Sequence, residues 1–425
     1  MVNIFYKVPQ GAKDEFYEFF QTKESIVRNF KKIFRSYAYK QISTPVFEYY
    51  DFFVQSPGTI KKDELFKLID TKGDVLVLRP DLTIPIARMA VNNRKRFKDY
   101  LKLFYVSKVF RIDTKDAEGK REFTQAGVEY FGNQNPDADA EVINIAIKTL
   151  ISCGIEKFQI DIGQSSFFKG LMDEVNIPAA DKERLKNIIE NKNFVELEKF
   201  LLFNDIEDRV KEVIIKIPEL YGNTEQVIRE AKSICLNSEM ENAIENLEHV
   251  YHILLDYGYE DYISIDLGLI NHLDYYTGVI FKGYMSNYGK IILSGGRYDK
   301  LTESYGHYIP ATGFGMDVDE LITGLKKLGL DRSEAANTDY LLVYSDKNRK
   351  RIIKVSDFLR EREMVIETDF LKGSGYHMDY ARETGIGKVV ICEGESATII
   401  DMATQETKEL SVEEFEKIVY NFEIE

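Results

Sequence analysis

Cysteine is scarce in this chain of 425 residues: Cys153, Cys235 and Cys392 lie far apart and form no CxxC pair. An odd, scattered set excludes a disulfide framework and a cysteine zinc site, and reads as buried thiols in a reducing compartment. Positive charge is short as well. Lys and Arg number 56 against 71 Asp and Glu, a net charge of −15, whereas a nucleic-acid footprint needs concentrated positive charge. No run of about 18 uninterrupted apolar residues occurs, so no membrane-spanning helix is expected. The start, MVNIFYKVPQGAKDEF, lacks a basic segment followed by an apolar one. No secretory signal is expected, and a cytoplasmic location is. The phosphate-cradling GxxxxGKS/T, the dinucleotide GxGxxG and the zinc HExxH are all missing, so neither a cofactor nor a metal is expected. Glu248, His249 and His252 read as a solvated helix surface.

What is present is core-forming material, 27 Phe and 26 Tyr, which excludes disorder over most of the length. Phe16, Phe19, Ile26, Phe30, Ile33 and Tyr37 recur at helical steps, with Lys23 as an interruption. Val75–Leu78 reads as a short buried strand that delivers Arg79-Pro80-Asp81. Leu103–Phe110 and Phe123–Phe131, joined by a polar turn, read as an antiparallel hairpin. Period-two strands follow near 158–162 and 263–269, and the sequence between them, about 165–258, reads as a helical block inserted into one sheet. After VIFKGYM, KIILSGG and a helix near Asp317–Leu328, the polar stretch 328–338 reads as a linker. Beyond it, strands alternate with helices, which predicts a small α/β domain over 339–425. The first domain is expected to span 1–330.

Polar residues gather at the ends of these strands. They are Arg79-Pro80-Asp81-Leu82-Thr83; Arg111 and Asp113; Arg121 to Gln125, with Glu129; Asp274-Tyr275-Tyr276-Thr277-Gly278; Gly295 to Asp299; and Pro310 to Gly315. Gln125 and Glu129 are four apart, so both face one side of an extended strand. Asp81, Glu129 and the tyrosine pair can converge on a cationic or amphoteric small ligand, with carboxylates for an amino group and tyrosines for hydroxyls and an aromatic face. They read equally as strand-end ion pairs and core tyrosines.

The series RPDLT, FRID, REFTQAGVE, LDYYTGVIF, GGRYDKL and PATGFG, in this order, resembles the catalytic domain of histidyl-tRNA synthetase, a class II synthetase. The likeness covers about 5–330, and the C-terminal part is similar to the anticodon-binding domain of the same enzymes. It implies an α/β (α+β) fold: an antiparallel class II sheet flanked by helices, with a helical insertion and a small C-terminal α/β domain. It also implies that Asp81, Thr83, Arg111, Gln125, Glu129, Tyr275 and Tyr276 contact histidine or its surroundings, Asp81 being a shortened form of the usual glutamate.

Two synthetase arginines are replaced. Asn271 stands where the histidine motif has its catalytic arginine, and Glu320 stands where the third class II motif has the arginine that holds the ATP triphosphate. Two like charges about 4 Å apart repel by roughly 4 kcal/mol at an effective dielectric near 20, and losing a guanidinium that stabilises phosphoryl charge costs orders of magnitude in rate. No catalytic residue is therefore expected. From Ala335 to Glu425 twelve basic residues meet nineteen acidic ones, net −7, which suits an anticodon stem poorly, so tRNA is not an expected partner. Eroded ATP anchors beside a kept histidine pocket resemble the regulatory-subunit family of ATP phosphoribosyltransferase, the first enzyme of histidine biosynthesis. That resemblance implies a short-form catalytic subunit as partner, histidine as inhibitory effector, and a homodimer within a hetero-oligomer, formed through the first helix and PVFEYYDFF. The alternatives are an active histidyl-tRNA synthetase and a synthetase paralogue with another ligand.

Overall fold

In the computed structural model, the residues described are 7–56, 60–112, 119–270, 275–330, 338–372 and 375–421. Asp113, Asn271 and Asp274 lie outside them. The chain divides into two compact units, Met1–Asp331 and Arg332–Glu425.

The first helix, Tyr17–Ser36, buries Ile26, Phe30 and Phe34, one stripe of its predicted apolar face. Lys23 interrupts that stripe for a reason only the tertiary structure reveals. Its Nζ lies 2.6 Å from a Glu15 carboxylate oxygen and 2.7 Å from one of Asp319, and both Lys23 and Asp319 are buried. Asp319 also accepts the Thr124 N–H at 3.1 Å, so this desolvated charge is matched from two sides.

The helix packs against one face of a nine-stranded sheet. Its strands run, in spatial order, Lys40–Gln41, Leu101–Phe110, Glu122–Phe131, Ala311–Asp317, Ile291–Arg297, Val279–Met285, Phe158–Gln164, Ile263–Asp266 and Tyr221–Gly222. Six of them, from Leu101–Phe110 to Phe158–Gln164, pair antiparallel throughout. Phe158–Gln164 and Ile263–Asp266 pair parallel, and a parallel pair needs a long crossover. The helical insertion supplies it, ending in Ser238–Asp256, which buries Met240, Ala243, Ile244, Leu247, Val250 and Leu254 at three- and four-residue steps. His249 and His252 lie on that helix's exposed face, and Glu248 pairs with Lys232 at 2.6 Å.

Two helices escape the periodicity reading: Thr83–Asn92 and Pro136–Ser152. The second is buried on nearly every side, so its sequence carries no amphipathic alternation. The expected buried strand Val75–Leu78 forms, but only Val77 is buried and Val75 is 43% exposed. It is the middle strand of a separate three-stranded sheet with Phe47–Tyr49 and Lys67–Ile69, open on one face.

The second unit has a five-stranded sheet in the order Ile366–Phe370, Tyr340–Tyr344, Lys388–Glu393, Ser396–Asp401, Thr407–Ser411, the first three parallel. Its helices Arg349–Arg360, Tyr376–Thr384 and Val412–Tyr420 include one with a full capping box, Ser411 and Glu414 exchanging hydrogen bonds across the first turn.

Candidate functional site: a buried carboxylate among tyrosines

The site grows out of strand register. Leu103 pairs with Glu129, Tyr105 with Gly127 and Ser107 with Gln125. On the other side Gly313 pairs with Glu129 and Gly315 with Gly127. The period of two puts Gln125, Glu129, Tyr105 and Phe131 on the face away from the first helix. The glycines opposite are a space requirement. A Cβ on Gly313 would collide with the Glu129 carboxylate, and one on Gly315 with the Gln125 amide.

Glu129 is 1% exposed and, among the described residues, has no cation bonded to it. Its carboxylate accepts from the Thr83 hydroxyl at 2.8 Å and from the Tyr298 hydroxyl in a very short hydrogen bond. Burial pushes its pKa from 4.5 to about 8, with the neighbouring charge of Asp81 adding to the rise and the two hydroxyl donors opposing it. Asp81 is raised too, chiefly by burial, although its carboxylate accepts the Ile84 N–H at 3.1 Å and Arg111 draws it down. It thereby satisfies one first-turn N–H of the helix Thr83–Asn92, from the residue before its N-cap Leu82.

The aromatic wall is made of Tyr275, Tyr276, Tyr298 and Tyr105, all buried. The Tyr275 and Tyr276 rings lie 4.7 Å apart, and Tyr298 meets Tyr275 edge-on at 5.8 Å and Phe131 at 6.3 Å. Burial raises all four phenols, so they remain neutral hydrogen-bonding groups. Arg111 is half-buried, its guanidinium 4.9 Å from the Phe123 ring. Gln125 keeps a buried Oε1 with no partner among the described residues. The arrangement thus offers two carboxylates, one guanidinium, a carboxamide and phenolic hydroxyls, the functional groups that a zwitterion with a polar ring requires.

Asp81, Thr83, Glu129, Tyr275 and Tyr276 therefore come together, with Gln125 and Arg111 beside them. Tyr298 and Tyr105 were not among the expected site residues. Tyr298 was visible only as part of GGRYDKL, and Tyr105 as an aromatic in a strand. Glu320 is engaged elsewhere: it accepts a very short hydrogen bond from the Tyr288 hydroxyl and lies 3.1 Å from Lys290 Nζ. Its neighbours on the same helix start are likewise matched by lysines, Asp317 with Lys120 at 2.7 Å and Asp319 with Lys23. No group of three or more His, Cys, Asp or Glu suited to a metal ion occurs among the described residues. Nor does any helix there have the length and apolarity to cross a membrane.

A family model described as histidyl-tRNA synthetase matches residues 11–321. A protein of Ruminiclostridium cellulolyticum named ATP phosphoribosyltransferase regulatory subunit is 38% identical over 405 residues, 95% of this chain and 96% of that one. This chain belongs to the ATP phosphoribosyltransferase regulatory subunit family. A solved Bacillus halodurans structure titled as a regulatory subunit of this kind or histidyl-tRNA synthetase superposes with a TM-score of 0.81 at 29% identity, over 92% of this chain and 99% of that one. A Nostoc histidyl-tRNA synthetase gives 0.82 at 21% identity, over 98% and 99%, a likeness of fold. Members of the regulatory subunit family thus share the class II synthetase architecture described above.

Proposed function

We propose that the chain is the non-catalytic regulatory subunit of an ATP phosphoribosyltransferase complex. It would assemble with a short-form catalytic subunit in the cytoplasm, be required for that subunit's turnover, and transmit feedback inhibition by histidine. The observation that carries the reading is the composition of this buried cluster. It keeps buried carboxylates at Asp81 and Glu129 with the Tyr275–Tyr276 pair, while by resemblance Glu320, away from that cluster, stands at the position of the synthetase's triphosphate-binding arginine. In this reading Asp81 and Glu129 answer the ligand's ammonium and imidazole, and Arg111 answers its carboxylate. Gln125 gains the partner that its Oε1 lacks. Thr83 and Tyr298 hold Glu129 in place.

Inhibition of another subunit then follows from linkage: histidine must bind two assembly states with unequal affinity, a coupling typically of about 1–3 kcal/mol. A homodimer through the first helix and the three-stranded sheet belongs to the same proposal. Phe16, Tyr17, Phe47, Tyr49 and Ile69 stand between 57% and 78% exposed there, which supports such a contact, since apolar side chains gain from being covered.

The test is calorimetry with the twenty amino acids, together with co-purification with a short-form ATP phosphoribosyltransferase and assay of its turnover. Histidine alone should bind, and turnover should depend on this chain. Histidine-driven ATP–pyrophosphate exchange well above background would instead establish an active synthetase, and preference for another amino acid a paralogue of different use.

A further inference from the structure

The carboxyl of Glu129 sits where an unpaired charge is costly. It is 1% exposed, and its polar contacts are hydroxyls: Thr83 donates to one oxygen at 2.8 Å and Tyr298 to the other. A buried carboxylate without a cation takes up a proton instead. The titratable groups that face it favour this. Asp81, ahead of the helix Thr83–Asn92, adds a like charge. Tyr105 from the neighbouring strand, Tyr275, Tyr276, Tyr298, and Tyr39 from the other face of the sheet all feel its charge, and burial keeps each of these phenols neutral. Arg111 acts on Asp81. With one hydroxyl on each oxygen, the carboxyl keeps a free bonding direction on both, one for its proton and one for a further partner.

The two ends of an amino acid divide between the remaining groups. Asp81 and Arg111 set opposite charges near each other, a match for an ammonium and a carboxylate. The ligand's side chain is left with Glu129, inside the wall of Tyr105, Tyr275 and Tyr298. A carboxylic acid there is a donor and needs an acceptor. The ammonium of lysine and the guanidinium of arginine offer none. An amide oxygen accepts without taking the proton, whereas the bare nitrogen of an imidazole both accepts and takes it. Near pH 7 free imidazole is mostly in that neutral form.

We propose that Glu129 holds a proton in the free protein and hands it to the ring of a histidine that arrives with its imidazole neutral, which makes this carboxyl the group that selects an imidazole. The O–H bond of the carboxyl breaks as the N–H bond of the ring forms, and the proton stays within the complex. The proposal rests on the histidine reading above. Binding then exchanges almost no proton with water between about pH 6.5, the ring's ordinary value, and about pH 8, where Glu129 ionises. Below that window histidine must shed a proton and above it the site must recover one, so affinity falls up to about tenfold per pH unit on either side. The full-length protein and a Glu129→Gln variant are titrated with histidine by calorimetry from pH 5.5 to 9.5, each pH in two buffers whose different ionisation heats count the protons exchanged. At pH 7 the parent should exchange almost none. From pH 7 to 9 the parent-to-variant affinity ratio should fall about tenfold, since the ligand's ammonium and Asp81 titrate alike in both. Release of nearly one proton at pH 7, with affinity rising toward pH 8, makes Glu129 a bare counter-ion and overturns the proposal, as does a ratio that stays flat. A variant too weak to titrate leaves the parent's proton count at pH 7, none or nearly one, to decide. Histidine bound at no pH sinks the histidine reading first, and this proposal with it.

Discussion

Replacing Glu129 by Gln should make the protein more stable, and by an amount that depends on pH. In the unfolded chain this carboxyl ionises near 4.5, whereas in the folded one burial holds its proton until about pH 8. An acid whose folded pKa is raised lowers stability only above its unfolded pKa. The cost therefore begins near pH 4.5, grows as pH rises, and levels off above pH 8. Each pH decade in that window is worth about 1.4 kcal/mol. The cost is under about 1 kcal/mol at pH 5, about 3 kcal/mol at pH 7, and about 5 kcal/mol at pH 9. Glutamine mimics the protonated acid at every pH and removes the slope. It can accept from only one of the Thr83 and Tyr298 hydroxyls, which subtracts a constant of about 1 kcal/mol. The slope, not the offset, is therefore the readout. Urea unfolding of parent and variant, followed by circular dichroism at pH 5, 7 and 9, measures it. A stability difference that stays flat from pH 5 to 9 would refute a buried, unpaired carboxyl at this position.

Glu129→Ala should weaken histidine binding at least a hundredfold in calorimetry, because the ligand's buried positive end loses its counter-charge. Tyr298→Phe keeps the ring contacts to Tyr275 and Phe131 but removes one of the two donors that hold the Glu129 pKa down. Histidine affinity should fall about tenfold, with the pH-dependent stability cost of Glu129 extending above pH 8. Lys23→Met leaves the buried Asp319 without its cation and should cost about 3–5 kcal/mol of unfolding free energy. The Lys23→Met/Asp319→Asn pair should cost much less than the sum of its singles. Supplying two cations, Asn271→Arg with Glu320→Arg, should raise MgATP affinity at least tenfold in a binding titration, whereas Glu320→Arg alone, which sets an arginine beside Lys290, should not.

How much of this was legible in the sequence depended on whether a residue's role was local. The hairpin Leu101–Phe110 and Glu122–Phe131 was readable because aromatic and β-branched runs flank a polar turn, and its period of two alone put Gln125 and Glu129 on one side. The inserted helices were readable because each has one wet face. Pro136–Ser152 was not, since burial on all sides erases the alternation that periodicity detects. Ala311–Asp317 was noticed as a motif, not as a strand, because glycine is poor strand material. Its glycines are there so that the side chains of Glu129 and Gln125 can lie across it. Tyr298 escaped for a related reason: its value to the site is one hydroxyl bond to a residue 169 positions away. Lys23 is the sharpest case. By pattern it was a defect in an apolar stripe; in the fold it neutralises Asp319. With Asp317, Asp319 and Glu320 each already matched by a lysine of the same chain, a nucleotide reaching the segment 317–320 would meet engaged cations and fixed carboxylates. The single substitution at Glu320 is thus one part of a local network in which protein lysines answer protein carboxylates. Reversing it requires supplying free positive charge, not merely removing a negative one.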